Sequence, residues 1–209
     1  MSQPFISHLE RGRGTAASIE TWSCVAAAVG EQYVGFLERA PGAGQPRDLE
    51  HLRRQSALVE IARTGGWTAL PELAIDPGNA RSRSIDVALV RRSRGETVVA
   101  EIWDWFDDVG AGMRSLDAKT ATLATRLAVE PLPTGTWRVR GLYVVRDTRR
   151  NRALVGELRP LFAARFPGSS VAWLAALGDA ERPVPEADGL LWSDSSGAAL
   201  RASRFGQRG

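Results

Sequence analysis

The chain has 209 residues, of which 44% are hydrophobic, which is enough apolar material to bury a core and excludes a disordered chain. No apolar run approaches the roughly 18 residues that span a membrane, and no secretory leader pattern is present, so we expect a cytoplasmic protein without a membrane partner. The single cysteine, Cys24, excludes an internal disulfide framework. The net charge is +3, and residues 131–209 hold twelve Arg against seven acids. This excess suits phosphate binding or a solvated helix face.

Hydrophobic periodicity predicts helices over residues 2–10, 18–29, 48–63, 109–129 and 149–166. Apolar runs bounded by turn residues predict strands over residues 67–75, 84–90, 97–103, 137–145, 171–177 and 190–192. The pattern predicts a mixed α/β (α+β) fold in which a mixed sheet is flanked by helices. The first three strands are expected to form an antiparallel meander.

A stretch rich in Pro and Gly interrupts the helical pattern after the second helix and is the best linker in the chain. We therefore predict a short N-terminal helical part, a linker, a larger α/β domain and a flexible tail. Their expected bounds are 1–40, 41–47, 48–193 and 194–209.

The N-terminal part carries the run SQPFISHLERG at residues 2–12, followed by SIETW at residues 18–22. This pattern resembles the second half of a lambda-repressor-like (Cro and XRE family) helix-turn-helix, in which the first of these helices is the recognition helix. The resemblance implies DNA as a partner, and a homodimer is plausible because such regulators usually read paired half-sites. It assigns the DNA contacts to Gln3, Ser7, His8 and Arg11.

The two helices that precede the recognition helix in that family have no counterpart before residue 2. Met1 stands where the family often has valine, and we hypothesise that a GTG valine codon was read as a start, so that the native product is longer. Sequencing the N-terminus of the native protein tests this hypothesis. The alternative is that residues 2–38 pack as a helical cap on the larger domain.

The predicted order of helix, three strands, helix and strand over residues 48–145 resembles the core of the PD-(D/E)XK nuclease superfamily. Within it, Asp86 and Glu101 match the two acidic positions on consecutive strands. Glu72 and Glu60 are possible accessory acids. The resemblance implies Mg²⁺ as cofactor, held by carboxylates that polarise a phosphate and activate water. The implied metal ligands are Glu72, Asp86 and Glu101.

The catalytic lysine of that superfamily is expected two residues after Glu101, where this chain has Trp103. Lys119, the only lysine in the chain, lies on the following predicted helix and is a conceivable replacement. Other interpretations stay open. Asp86 can cap a turn, and Glu101 can pair with Arg83 or Arg138. Trp103 and Trp105 can form one packed face or a base-stacking platform. His8 and His51 have no partner at metal-ligand spacing, so neither is assigned a metal or catalytic role.

The absent lysine and the recognition-helix pattern together favour a DNA-binding transcriptional regulator whose nuclease-like domain is catalytically impaired and needs no cofactor. The alternative is a Mg-dependent DNA endonuclease with Asp86, Glu101 and Lys119 as catalytic residues. A third possibility is a non-enzymatic interaction module. Convergence of Asp86, Glu101 and Lys119 on one site would favour the enzyme, whereas Trp103 filling that space would exclude it.

Overall fold

A computed structural model describes residues 6–7, 11, 17–31, 33, 47–76, 83–106, 108–132 and 135–202. The chain divides into two compact units, Met1–Gly44 and Gln45–Gly209. In the smaller unit, helix α1 (Ile19–Ala28) begins after Ser18, whose side chain accepts a hydrogen bond from the Thr21 amide.

Two of the four predicted DNA contacts, Gln3 and His8, lie outside the described residues. Ser7 belongs to a described helical pair and is half-buried, and Arg11 is exposed in a turn.

The larger unit contains five α-helices among its described residues. They are α2 (Arg47–Thr64), α3 (Val109–Leu127), α4 (Arg149–Glu157), α5 (Arg159–Arg165) and α6 (Ser170–Gly178). Its strands are β1 (Thr68–Ala74), β2 (Ser84–Arg91), β3 (Glu96–Trp103), β4 (Arg138–Arg146), β5 (Gly189–Ser193) and β6 (Leu200–Ala202).

The six strands form one sheet in chain order. Strands β1, β2 and β3 pair antiparallel, β3, β4 and β5 pair parallel, and β6 returns antiparallel to β5. Parallel neighbours need a crossover connection. Helix α3 supplies the crossover between β3 and β4, and helices α4 to α6 supply the one between β4 and β5. The predicted fold class, a mixed sheet flanked by helices, is confirmed.

Both faces of the sheet are covered, which gives two hydrophobic cores. Leu116 and Leu123 of α3 pack on one face with Val99, and Leu58 of α2 packs on the other with Val98. A strand that is buried on both faces carries apolar side chains on both, which explains the run Val98, Val99 and Ala100 in β3.

Three sequence predictions about the larger unit were wrong. Residues 171–177 form helix α6 rather than a strand, because Ser169 caps the helix and the segment is rich in Ala and Leu. The single helix expected over 149–166 is divided, since Pro160 opens a new helix. The expected flexible tail contains β6, which completes the sheet edge. Within the described parts of the chain, no helix has both the length and the apolar character needed to cross a bilayer.

Candidate active site

A cavity of about 320 Å³ opens where β3 ends and β2 begins. Because these two strands are antiparallel, those ends meet at the same edge of the sheet. Ligands of open α/β sheets commonly bind beyond the carboxyl ends of the parallel strands, of which β3 is one. The cavity is lined by His51, Asp86, Glu101, Ile102, Trp103, Asp104 and Trp105.

Asp86 interrupts the regular pairing of β2. The register with β3 begins only at Val87, and the Asp86 carboxylate accepts a hydrogen bond of 2.7 Å from the Ile102 amide. The Asp86 carbonyl accepts from the side chain of Gln55 on helix α2 at 3.1 Å. The side chain therefore takes the place of a ladder hydrogen bond, which fixes one carboxylate oxygen at the edge of the cavity.

Glu72 lies beside Asp86 at an irregular point of β1. The register between β1 and β2 omits Glu72 and Asp86, and Glu72 has a φ of +50°, the only positive value among described non-glycine residues. Its carboxylate accepts hydrogen bonds from Gln55 at 2.6 Å and Ser84 at 3.0 Å. A non-glycine residue held in this region costs on the order of 1 kcal/mol and is most often found at functional sites.

Glu101, which lines the cavity, forms a buried ion pair with Lys119. Lys119 extends from helix α3, and its Nζ lies 2.5 Å from Glu101 Oε2. The other carboxylate oxygen, Oε1, is buried and has no hydrogen-bond partner among the described residues, although Glu101 is only 5% exposed. A buried oxygen without a partner is unfavourable unless something else satisfies it.

Two carboxyl groups of this site, those of Asp86 and Glu101, have a raised pKa. Burial and, to a smaller extent, the charge of Asp86 raise the pKa of Glu101 to about 7, although Lys119 opposes the shift. Burial also raises the pKa of Asp86, against the Ile102 hydrogen bond and the charges of His51 and Lys119. The charge of Glu72 adds to the raised pKa of Asp86, as the charge of Asp86 adds to that of Glu101. Buried carboxylates that raise a neighbour's pKa are typical of sites that bind a cation or a proton.

His51, which was predicted to have no metal or catalytic role, belongs to the same site. Its Nε2 lies 3.8 Å from the Asp86 carboxylate, and the ligand atoms of His51, Glu72 and Asp86 all lie within 4.8 Å of one another. The helical spacing of the sequence could have indicated this, because His51 and Gln55 lie on the same face of helix α2 as the buried Leu58. Polar residues on a buried helix face need polar partners.

Trp103 does not fill the space between the acidic side chains. Its ring packs against Phe106 and Tyr143, with centroid distances of 5.3 and 5.7 Å, and forms one wall of the cavity. The absence of a side chain at Gly112 on helix α3 makes room for this ring. A Trp103 ring between the acidic side chains would have excluded the enzyme, and among the described residues Trp103 does not occupy that position.

Gly112→Ala is expected to destabilise the protein by about 1–3 kcal/mol, because the added Cβ would lie 2.8 Å from the Trp103 ring. Urea unfolding measures the loss. Gly156→Ala on helix α4 is the control, since nothing lies within 4 Å of its added Cβ. Equal stability of the two variants would contradict the packing of Trp103 described above.

The alternatives left open by the sequence have different outcomes. Glu101 pairs with Lys119, and Arg138 pairs with Glu96 at the opposite end of β3. Glu60 is exposed on helix α2, beside Arg63 at 3.9 Å, and does not line the cavity. The structure thus brings Asp86, Glu101 and Lys119 to one site, with Glu72 beside them.

Comparisons with known proteins add no family assignment. No protein-family model matches the chain, and no curated protein or solved structure matches it either.

Proposed function

We propose that the larger unit is a divalent-metal-dependent phosphodiesterase that cuts nucleic acid at the cavity between Asp86 and Glu101. The observation that carries the proposal is the contact of Lys119 with Glu101 at 2.5 Å, in a cavity that Asp86 also lines. Lys119 supplies from helix α3 the positive charge that the nuclease motif would carry at position 103, where this chain has Trp103. Two carboxylates and a lysine are the groups that metal-assisted phosphate hydrolysis needs.

The side chains at the site fit a divalent cation. Oε1 of Glu101 is buried without a partner in the described part of the chain, and Asp86 lines the same cavity. Glu72 and His51 are close enough to Asp86 to complete a ligand set. A bound cation would polarise a phosphate oxygen and lower the pKa of a coordinated water. Because His51 offers nitrogen and Mg²⁺ prefers oxygen ligands, we expect Mn²⁺ to bind more tightly than Mg²⁺.

Lys119 has two tasks in this proposal. In the resting protein its ammonium group compensates the buried Glu101 charge. During hydrolysis an ammonium group at this position stabilises the negative charge that develops on the phosphate oxygens. The burial of the pair strengthens this effect, since charges interact more strongly where water is excluded.

The sheet edge that holds the cavity also suits a polyanionic substrate. Strand β4 runs parallel to β3, and its last residue, Arg146, lies 4.0 Å from Asp104 at the cavity wall. Arg149 and Arg150 follow at the start of helix α4 and are exposed. Arginine side chains bind backbone phosphates through paired hydrogen bonds. A nucleic-acid strand could therefore lie along this edge with one phosphate over the cavity.

The direct test incubates the protein with supercoiled plasmid and with a labelled single strand, in Mn²⁺, Mg²⁺ or EDTA. We expect cutting with Mn²⁺ or Mg²⁺, none with EDTA, and loss in Asp86→Asn. The control is Asp117→Asn, which removes an exposed carboxylate of helix α3 that pairs with Arg165. Absence of cutting in both metals, or cutting that survives in Asp86→Asn, would reject the proposal.

Metal binding is expected to depend on pH around the raised pKa of Glu101. Because that pKa is about 7, the metal must displace a proton at lower pH. The affinity for Mn²⁺ should fall about tenfold per pH unit below pH 7 and level off above it. Calorimetric titrations between pH 5.5 and 8 measure this, and Glu101→Gln should bind more weakly and with a smaller slope. A flat profile in the unchanged protein would contradict proton competition at Glu101.

A second candidate function is DNA binding by the smaller unit as a transcriptional regulator of the XRE class. Helix α1 has no buried residue, and its apolar Ile19 is 71% exposed. Exposed apolar side chains are expected of a helix that packs against further elements of a DNA-binding unit. The capped start at Ser18 also agrees with the helix that follows the recognition helix in the resemblance.

Retention of DNA fragments at two salt concentrations distinguishes the candidates. The regulator requires salt-sensitive retention that weakens in Arg11→Gln, whose side chain is exposed. The nuclease requires cutting that is lost in Asp86→Asn and unchanged in Arg11→Gln. Retention that Arg11→Gln leaves unchanged would count against the regulator.

A further inference from the structure

A second cavity, of about 340 Å³, lies along β1 on the face of the sheet that helix α3 covers, and its lining on this strand runs from Thr68 to Leu73. Thr97 is the second residue of β3 and lies four residues before Glu101, about 13 Å along the strand at the usual rise. The cavity lies between the β1–β3 face of the sheet and the last turns of helix α3. Its lining is mainly apolar and includes Leu70, Leu73, Val90, Leu123, Leu127 and Trp137.

The floor of this cavity carries a hydroxyl group without a partner. Thr97 is 0% exposed, and its Oγ1 makes no hydrogen bond to any described residue. An unsatisfied buried hydroxyl group costs about 1–3 kcal/mol, and such groups are rare in folded proteins. Because Thr97 is fully covered in the free protein, an oxygen atom of a bound molecule would remove that cost only after the side chains that cover Thr97 move.

The rim of the cavity has excess positive charge. Arg92 donates to Glu130 at 3.0 Å and lies over the Trp137 ring at 5.5 Å, so its charge is balanced and its position is fixed. Arg126 donates only long hydrogen bonds, to the carbonyls of Ala74 at 3.4 Å and Ile75 at 3.3 Å, and has no carboxylate partner among the described residues. An arginine without a carboxylate beside an apolar cavity favours an anionic ligand.

We infer that this cavity binds a small carboxylic acid with an apolar body, whose carboxylate meets Arg126. The apolar body would fill the space between Leu73 and Leu123, and the second oxygen of the same carboxylate would meet the Thr97 hydroxyl. The volume is in the range of ligand sites, which begin at about 300 Å³. The inference is independent of the proposed nuclease, because the two sites share no residue.

The test is calorimetric titration of the full chain with three probes of one shape: 4-phenylbutyrate, the neutral 4-phenylbutanol and the cationic 4-phenylbutylamine. We expect saturable binding of the carboxylate, at least tenfold tighter than binding of the amine. Arg126→Gln should remove that preference. Arg63→Gln is the matched control, because it removes one exposed positive charge from helix α2 and leaves the cavity unchanged.

Thr97→Val adds a readout that a purely structural role of Thr97 would not give. Valine has nearly the shape of threonine and removes the unsatisfied hydroxyl group, so the free protein should become more stable toward urea. The same variant should bind 4-phenylbutyrate several-fold more weakly. Absence of saturable binding, equal binding of the three probes, or a preference that persists in Arg126→Gln would overturn the inference.

Discussion

Lys119→Met is expected to lower the rate of metal-dependent cleavage by about 100- to 1000-fold, the usual effect of removing one preorganised charge from a transition state. Methionine has a similar length and is apolar, so it fits the buried position at helix α3. The assay compares initial rates of plasmid cutting at pH 8 in saturating Mn²⁺. Under the nuclease proposal, this substitution leaves Asp86 and Glu101 in place and removes only the cation beside them.

The variant should remain folded at pH 7 although it loses one partner of a buried pair. An unpaired buried carboxylate is costly only while it is ionised. The pKa of Glu101 is already raised to about 7 with Lys119 present, and Lys119 is one of the groups that lower it. Without the lysine, Glu101 therefore takes up a proton and becomes neutral. We expect the pH profile of Mn²⁺ binding to move to higher pH while its plateau stays near that of the unchanged protein.

Arg114→Met provides the matched control for Lys119→Met. Arg114 is exposed on the same helix, so the variant loses the same charge outside the site. Slow cleavage in Lys119→Met alone, with full metal binding at high pH, would identify the lysine as catalytic. Undiminished cleavage in Lys119→Met would instead show that the ion pair with Glu101 is structural, and the nuclease proposal would lose its main support.

Much of the sheet could be predicted from the sequence because burial on both faces leaves a strong pattern. Five of the seven residues from 97 to 103 are apolar, and β3 spans Glu96–Trp103. The spacing of Asp86 and Glu101 on adjacent strands also places them at one sheet edge without further information. Antiparallel neighbours with a short connection can pair in few registers, so such an inference is robust.

Other features depended on packing that no local pattern records. Helix α6 is apolar around most of its surface, and periodicity does not separate such a helix from a buried strand. The contact between Lys119 and Glu101 depends on the rotation of helix α3 over the sheet. The left-handed backbone at Glu72 is held by Gln55 and Ser84, which are distant in sequence.

Glu96→Ala is expected to destabilise the protein by about 3–5 kcal/mol, the largest effect on stability that we predict. Glu96 is 0% exposed, and its carboxylate accepts two hydrogen bonds from Arg91, at 2.6 and 2.9 Å, and one from Arg138 at 2.6 Å. It also accepts from the Val184 amide at 3.1 Å. Removal of this carboxylate leaves the buried Arg91 without its charge partner.

Arg91 cannot escape to water when Glu96 is lost, because its other hydrogen bonds hold it in place. It donates to the carbonyls of Gly65 and Arg182 at 3.2 and 2.6 Å, and its guanidinium lies 4.3 Å from the centre of the Trp67 ring. The cost therefore appears as lost stability in urea unfolding. Glu186→Ala is the control, because this 77%-exposed carboxylate also pairs with Arg138, and a loss below about 1 kcal/mol is expected. If Glu96→Ala lost no more stability than the control, the backbone carbonyls alone would be enough to stabilise the buried charge of Arg91.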